Sequence, residues 1–179
     1  MTMLTGSVPW TKRAVRVLHL AHEEARSAGS PVIGIEHILL GLLREGHGMG
    51  AEILHSLQVD EGAIRHALGI PRPAQAASSP LATHPLVRWL RRRLRRSSSP
   101  LAWDALRLNE QAKRCIEKAA EAAQMLDVRF IGTEHVLFGL ASVKESEGPT
   151  GNILSSLSLD AHQLQEQVVR LYQRENLPQ

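Results

Sequence analysis

The chain has 179 residues, 21 Lys/Arg against 18 Asp/Glu, and a single cysteine, Cys115. One cysteine excludes an internal disulfide framework, and no apolar run approaches the roughly 18 residues of a spanning helix. The excess positive charge belongs to a segment and not to the fold: residues 1–68 hold six Lys/Arg and seven Asp/Glu, residues 107–179 hold eight and ten, and residues 69–106 hold seven Arg and one Asp. Residues 1–13 lack the apolar centre of a secretory signal, so a cytoplasmic setting is expected, with Cys115 a buried reduced thiol.

Thr11 reads as the N-cap of a first helix. Ala14, Val17, Leu18, Ala21, Ala25 and Ala28 follow the spacing of one buried face. Gly29-Ser30-Pro31 ends it. The stretch Ile33-Gly34-Ile35-Glu36-His37-Ile38-Leu39-Leu40-Gly41-Leu42 opens a second helix with Ile38, Leu39 and Leu42 inward. Gly41 costs that helix about 1 kcal/mol against Ala, which predicts close approach of another backbone, the sister repeat's being the candidate. Glu45-Gly46-His47-Gly48 breaks the chain before a short helix ending near Leu57, and Asp60 caps a fourth carrying Ile64 and Leu68.

The same order then returns. Ile131-Gly132-Thr133-Glu134-His135-Val136-Leu137-Phe138-Gly139-Leu140 lies 98 positions after its counterpart, with seven of ten residues identical. Upstream, Asn109 matches Thr11 at the same offset. Downstream the offset becomes 100, so that Ile153, Leu154, Ser156, Leu157 and Asp160 answer Ile53, Leu54, Ser56, Leu57 and Asp60. Asp160 caps a last helix carrying Leu164, Val168 and Leu171. A fixed-period match of this kind marks a tandem duplication. Each copy of about 60 to 65 residues is marginal as a lone core. The expected architecture is therefore all-α: two tandem four-helix repeats, residues 8–68 and 107–174, packed as one pseudo-two-fold domain.

Between them, residues 69–106 form a Pro/Ser/Arg-rich linker. Within it Leu86, Trp89, Leu90 and Leu94 share one helical face, with Arg88, Arg91, Arg92, Arg93, Arg95 and Arg96 on the rest. Three readings of segment 86–96 stand side by side: a solvated run, a basic amphipathic helix for nucleic acid or an anionic membrane with salt-dependent affinity, and an intramolecular strap over the protein's own acidic sites.

Little else carries chemistry. His19, His22 and Glu23 share a helical turn, but His19 and His22 are replaced by Glu117 and Ala120 in the second copy, and a solvated face is the reading; no metal is expected. His37 and His135 are read as buried histidines bonded near their helix starts. No Ser or Cys sits in a nucleophile setting, and no G-x-x-x-x-G-K-[ST] phosphate loop occurs. The chain reads as no enzyme, with no cofactor. Trp10 precedes the Thr11 cap as Leu108 precedes Asn109, and the two are expected to cover a groove between the repeats.

The duplicated first helix, with Ala21-His22-Glu23-Glu24-Ala25, and the duplicated Gly-x-Glu-His-(apolar)3-Gly-Leu stretch resemble the Clp N-terminal repeat domain of Clp-family unfoldase ATPases, here without ATPase modules. The resemblance implies a protein-binding module that receives substrates, adaptors or cyclic peptide antibiotics, acting as adaptor or decoy for the Clp system. It implies that Glu36 and Glu134, with Thr133, bind phosphorylated arginine. Gly34 and Gly132 would leave helix N-terminal N–H groups for the phosphoryl, and each carboxylate would take the guanidinium. The alternative is that both glutamates only stabilise their helix starts. Ile35 stands where the family pattern has Thr, which predicts a lost side-chain cap, typically about 1 kcal/mol, and a weaker first site.

Overall fold

The computed structural model describes residues 8–70, 106–143, 166–167 and 169–170. Repeat one is four helices: α1 (Lys12–Ser27), α2 (Ile35–Glu45), α3 (Met49–Ser56) and α4 (Glu61–Leu68). Repeat two supplies α5 (Glu110–Met125) and α6 (Thr133–Ser142). Among the described residues there are no strands beyond isolated bridges. The basic segment 86–96, the Asp160 cap and the apolar positions Leu164, Val168 and Leu171 lie outside the described residues.

The long helices start where the sequence places them. The Thr11 hydroxyl accepts the Ala14 N–H at 3.2 Å, and Asn109 Oδ1 accepts that of Ala112 at 2.8 Å. Asp60 does the same for Ala63 at 2.7 Å. Each cap satisfies one donor that the first helical turn leaves without an internal partner. α2 ends at Gly46, whose φ of 70° is the left-handed conformation glycine adopts without a Cβ penalty.

The stripe Ala14, Val17, Leu18, Ala21 and Ala25 is buried, as are its counterparts Ala112, Cys115, Ile116, Ala119 and Ala123. α1 packs along α2, and α5 along α6. The helix-interior glycines serve this contact: a Cβ on Gly41 would stand 2.5 Å from the Val17 carbonyl oxygen, and one on Gly139 would collide with that of Cys115. The backbone they approach is thus the first helix of their own repeat, not the sister repeat. The cause is the small-residue face of α1 and α5, which lets a second helix lie closest there.

The repeats are joined by a reciprocal exchange. Ile131 donates its N–H to Pro9 O (2.9 Å) and accepts from Thr11 (3.0 Å). Ile33 donates to Arg107 O (2.6 Å) and accepts from Asn109 (3.0 Å). Every one of these positions maps onto its partner at the 98-residue offset, so the contact is self-complementary in the manner of a two-fold interface. Leu18, Ile38 and Leu39 of repeat one and Ile116, Leu137 and Leu140 of repeat two share one core cluster.

One feature breaks the symmetry. Glu24 is fully buried on α1 and is held bidentately by Arg65 of α4, at 2.7 and 2.8 Å, and by Arg44 of α2 at 2.7 Å. Arg44 also reaches Glu23 at 3.1 Å, and Arg65 reaches Glu61 at 2.8 Å. Burial alone would raise the Glu24 carboxyl, but the hydrogen bonds and charge of Arg65, with those of Arg44, outweigh it and hold the pKa below 4.5. The Glu24 hydrogen bond raises the Arg65 guanidinium against the opposing effect of burial. At the matching positions repeat two has Ala122, Ser142 and Gln165.

Candidate functional site

Both motif helices begin in the same way. Gly34 and Gly132 are the N-cap residues, in extended conformation, and their N–H groups donate to His37 Nδ1 (3.0 Å) and His135 Nδ1 (2.9 Å). These imidazoles are buried. The His three residues into the helix therefore closes back on the cap, as Glu does in a capping box. Two expectations change. The Gly34 and Gly132 N–H groups are already used, so they are not donors for a phosphoryl group. Residue 35 or 133 is the first helical residue, so Ile35 forfeits no cap: with glycine at the N-cap, neither repeat has a side-chain cap there.

Glu36 and Glu134 fold back over their glycines. A Cβ on Gly34 would run into the Glu36 carboxylate, and one on Gly132 into that of Glu134. Each carboxylate oxygen Oε1 approaches the neighbouring Nδ1 at 3.1 Å. While Nδ1 accepts the glycine N–H it presents a lone pair, so this approach is an ion pair only when the ring is protonated. The negative group rests against the positive end of its helix dipole, where an anion is stabilised by about 0.3–1 kcal/mol. The Glu36 side chain is 23% exposed and that of Glu134 is 13% exposed, so both reach solvent.

The two sites are not equivalent. Ile35 is a buried core residue. Thr133 is also buried, and its Oγ1 accepts the Gly50 N–H from repeat one at 3.1 Å and lies 3.4 Å from Glu134 Oε2, long for an O–H···O bond. The site around Glu134 thus includes the α2–α3 turn of the other repeat. In the sequence Glu45 and Gly48 read only as part of a helix break, and Gly50 is not singled out; the Gly-His-Gly-Met-Gly spacing gives no sign of a contact with the other repeat.

Trp10 and Leu108 occupy the two crossings, Trp10 opposite Ile131 and Leu108 opposite Ile33. Leu108 is buried and Trp10 partly so, its ring packed on Ala119, Ala120, Ala123 and Ile131 among others. Among the described residues the exposed large apolar side chains are Val32, Phe130 and Met125; Val32 and Phe130 are equivalent positions beside those crossings. Glu23, from the His19/His22/Glu23 turn, is engaged with Arg44. Among the described residues no group of three or more His, Cys, Asp or Glu is gathered as metal ligands, and no helix is long and apolar enough to cross a membrane.

An all-helical pseudo-two-fold module, with a carboxylate over each motif helix start, is the class of protein this geometry defines. A family model described as the Clp repeat (R) N-terminal domain matches residues 10–99 and 107–177. The chain belongs to this family. Similar curated proteins include an ATP-dependent Clp protease ATP-binding subunit ClpA homolog of Guillardia theta, 33% identical over 162 residues. Another is the negative regulator of genetic competence ClpC/MecB of Bacillus subtilis, 33% identical over 164 residues. Each match covers 90% of this chain but only 17% of the relative's length. Among solved structures, the N-terminal domain of the chaperone ClpD of Arabidopsis thaliana aligns with a TM-score of 0.61 at 22% identity, covering 94% of this chain and 99% of that one. The Hsp104 N-terminal domain of Candida albicans aligns at 0.59 and 15% identity, covering 91% of each. These two likenesses speak for the fold alone.

Proposed function

We propose that this chain is a non-enzymatic cytoplasmic receptor that binds arginine-phosphorylated proteins through Glu36 and Glu134 and serves a Clp protease as adaptor or decoy. The observation that supports it is the pair of equivalent, partly exposed carboxylates, each lying on a helix N-terminus. A carboxylate that reaches solvent can accept a guanidinium in the strong, charge-assisted form. The positive helix end beneath it favours the attached phosphoryl group. Relatives named as ATP-binding subunits of Clp protease supply the link to that system.

The test is calorimetric titration with a phosphoarginine peptide against wild type, Glu36→Ala, Glu134→Ala and the double variant. Two saturable sites, each removed by one substitution, are expected. A folded wild type that takes up no ligand refutes the reading and leaves unfolded segments, adaptors and cyclic peptides as the ligand classes to examine.

A second reading rests on the charge segregation, seven Arg and one Asp in residues 69–106. On this reading the repeats are scaffold and segment 86–96 binds nucleic acid or an anionic membrane. Salt-dependent binding to DNA, RNA or anionic vesicles, lost on deleting 86–96, would favour it over the first.

A further inference from the structure

We propose that the α2–α3 turn of repeat one, braced by Arg13 and Glu45, is a positioning element for Glu134 of repeat two, so that both repeats build the second site jointly. This rests on the phosphoarginine reading for its ligand, but not for its geometry.

The brace begins at α1. The Arg13 guanidinium donates to the His47 carbonyl and stands 3.6 Å from Glu45 Oε1. Glu45 is buried, and its Oε2 accepts the His47 N–H at 3.2 Å. Both backbone polar groups of His47 are therefore held by side chains, which fixes the turn in place. The next residues carry that placement across the repeat boundary. A Cβ on Gly48 would strike the Thr133 side chain, and one on Gly50 would stand 2.5 Å from the Thr133 carbonyl oxygen. Only glycines admit α3 this close to the start of α6.

Once there, Gly50 gives its N–H to Thr133 Oγ1. A hydroxyl whose lone pair is used in this way keeps its proton to turn toward an acceptor, and Glu134 Oε2 lies 3.4 Å away. Thr133 is thereby a positioning residue with one contact in each repeat. The other copy shows that these groups belong together. At the positions matching Arg13 and Thr133 the chain has Gln111 and Ile35, neither of which repeats the chemistry. Ile35, at the position of Thr133, offers no hydroxyl to bond across the repeats, so the two sites should differ in affinity.

The experiment uses the full chain with Thr133→Val, Thr133→Ser and Glu45→Ala, read by titration with phosphoarginine and by 15N amide spectra. Thr133→Val keeps the shape and deletes the hydroxyl. It should weaken the Glu134-dependent site about tenfold, the scale of one lost buried hydrogen bond, and leave the Glu36-dependent site untouched. Thr133→Ser should restore wild-type affinity, which a purely space-filling role would not predict. Glu45→Ala should move the Thr133 and Glu134 amide resonances and speed exchange of the Gly50 N–H. Wild-type titration of both sites by Thr133→Val and Glu45→Ala, with those amides unmoved, would overturn the proposal. A wild type that ignores phosphoarginine would sink the ligand reading alone. In that case unmoved amides in Glu45→Ala refute the cross-repeat positioning, and shifted amides support it.

Discussion

Replacing Glu24 by alanine tests how repeat one is held together. The substitution removes the shared acceptor of two guanidinium groups: Arg65, whose side chain is 7% exposed, and Arg44, which is 25% exposed. Losing one partner of a buried pair costs about 3–5 kcal/mol, because a charge is left in the interior without compensation. Here Arg65 retains Glu61 and Arg44 retains Glu23. The expected loss therefore falls at the lower end, about 3 kcal/mol. α4 buries only Ile64 and Arg65, so this loss loosens that helix first. The triple variant Glu24→Ala, Arg44→Ser, Arg65→Gln installs the residues of repeat two at all three positions. It strands no charge, so it should recover a large part of the deficit.

Urea unfolding followed by circular dichroism reads both variants, the midpoint reporting stability where the slope is unchanged. The pH dependence supplies a further sign. Glu24 titrates below 4.5, so its contribution is complete above that value and fades as pH falls through the depressed one. Arg65 is raised, so its share is lost only when pH rises through its raised value, far into alkali. The gap between wild type and Glu24→Ala should thus be flat across neutral pH and close in acid. A single variant within about 1 kcal/mol of wild type, the usual ceiling for an exposed pair, would refute the reasoning. So would a triple variant no better than the single one.

Gly41→Ala and Gly139→Ala should each destabilise by about 1–3 kcal/mol, the overpacking range, despite the better helix propensity of Ala. A thermal melt that rises instead would show that α1 and α5 can move away from the new methyl group. The Cys115 thiol is fully buried, and burial pushes its pKa strongly upward. It should ignore a thiol reagent at pH 8 in the native state and react fully in urea; prompt native labelling would contradict the packing. Ile35→Thr places in repeat one the residue that repeat two has at the matching position, Thr133. Since the N-cap is Gly34 and Ile35 is core, the change should cost about 1–2 kcal/mol of apolar burial. A gain of about 1 kcal/mol, as a new cap would give, would mean that the helix begins one residue later than the structure shows.

The elements legible in the sequence are those whose cause is local. Thr11, Asn109 and Asp60 cap their helices because a cap needs only a short polar side chain and the N–H three residues on. The stripes of α1 and α5 follow from spacing, and the duplication fixes their pairing. Gly41 and Gly139 were half legible: a glycine inside a helix announces a close neighbour, but it does not say which.

The site was less legible because its groups are assembled by contacts that no spacing records. His37 and His135 were legible as buried histidines bonded near their helix starts, but nothing in the spacing says that the partner is the N–H of their own cap glycine. The hydrogen bond from Gly50 to Thr133 spans 83 positions, and nothing near either residue signals the other. What the sequence does hold is a coordinated difference between the copies. Arg13 and Thr133 against Gln111 and Ile35, and Glu24, Arg44 and Arg65 against Ala122, Ser142 and Gln165, are two sets that change together. In a tandem duplication each copy is the other's control. Positions that keep their identity, such as Gly34/Gly132 and Glu36/Glu134, mark what both halves need. Positions that depart as a group mark where one half has taken on a contact of its own, and in this chain one such group adjoins the carboxylate of Glu134.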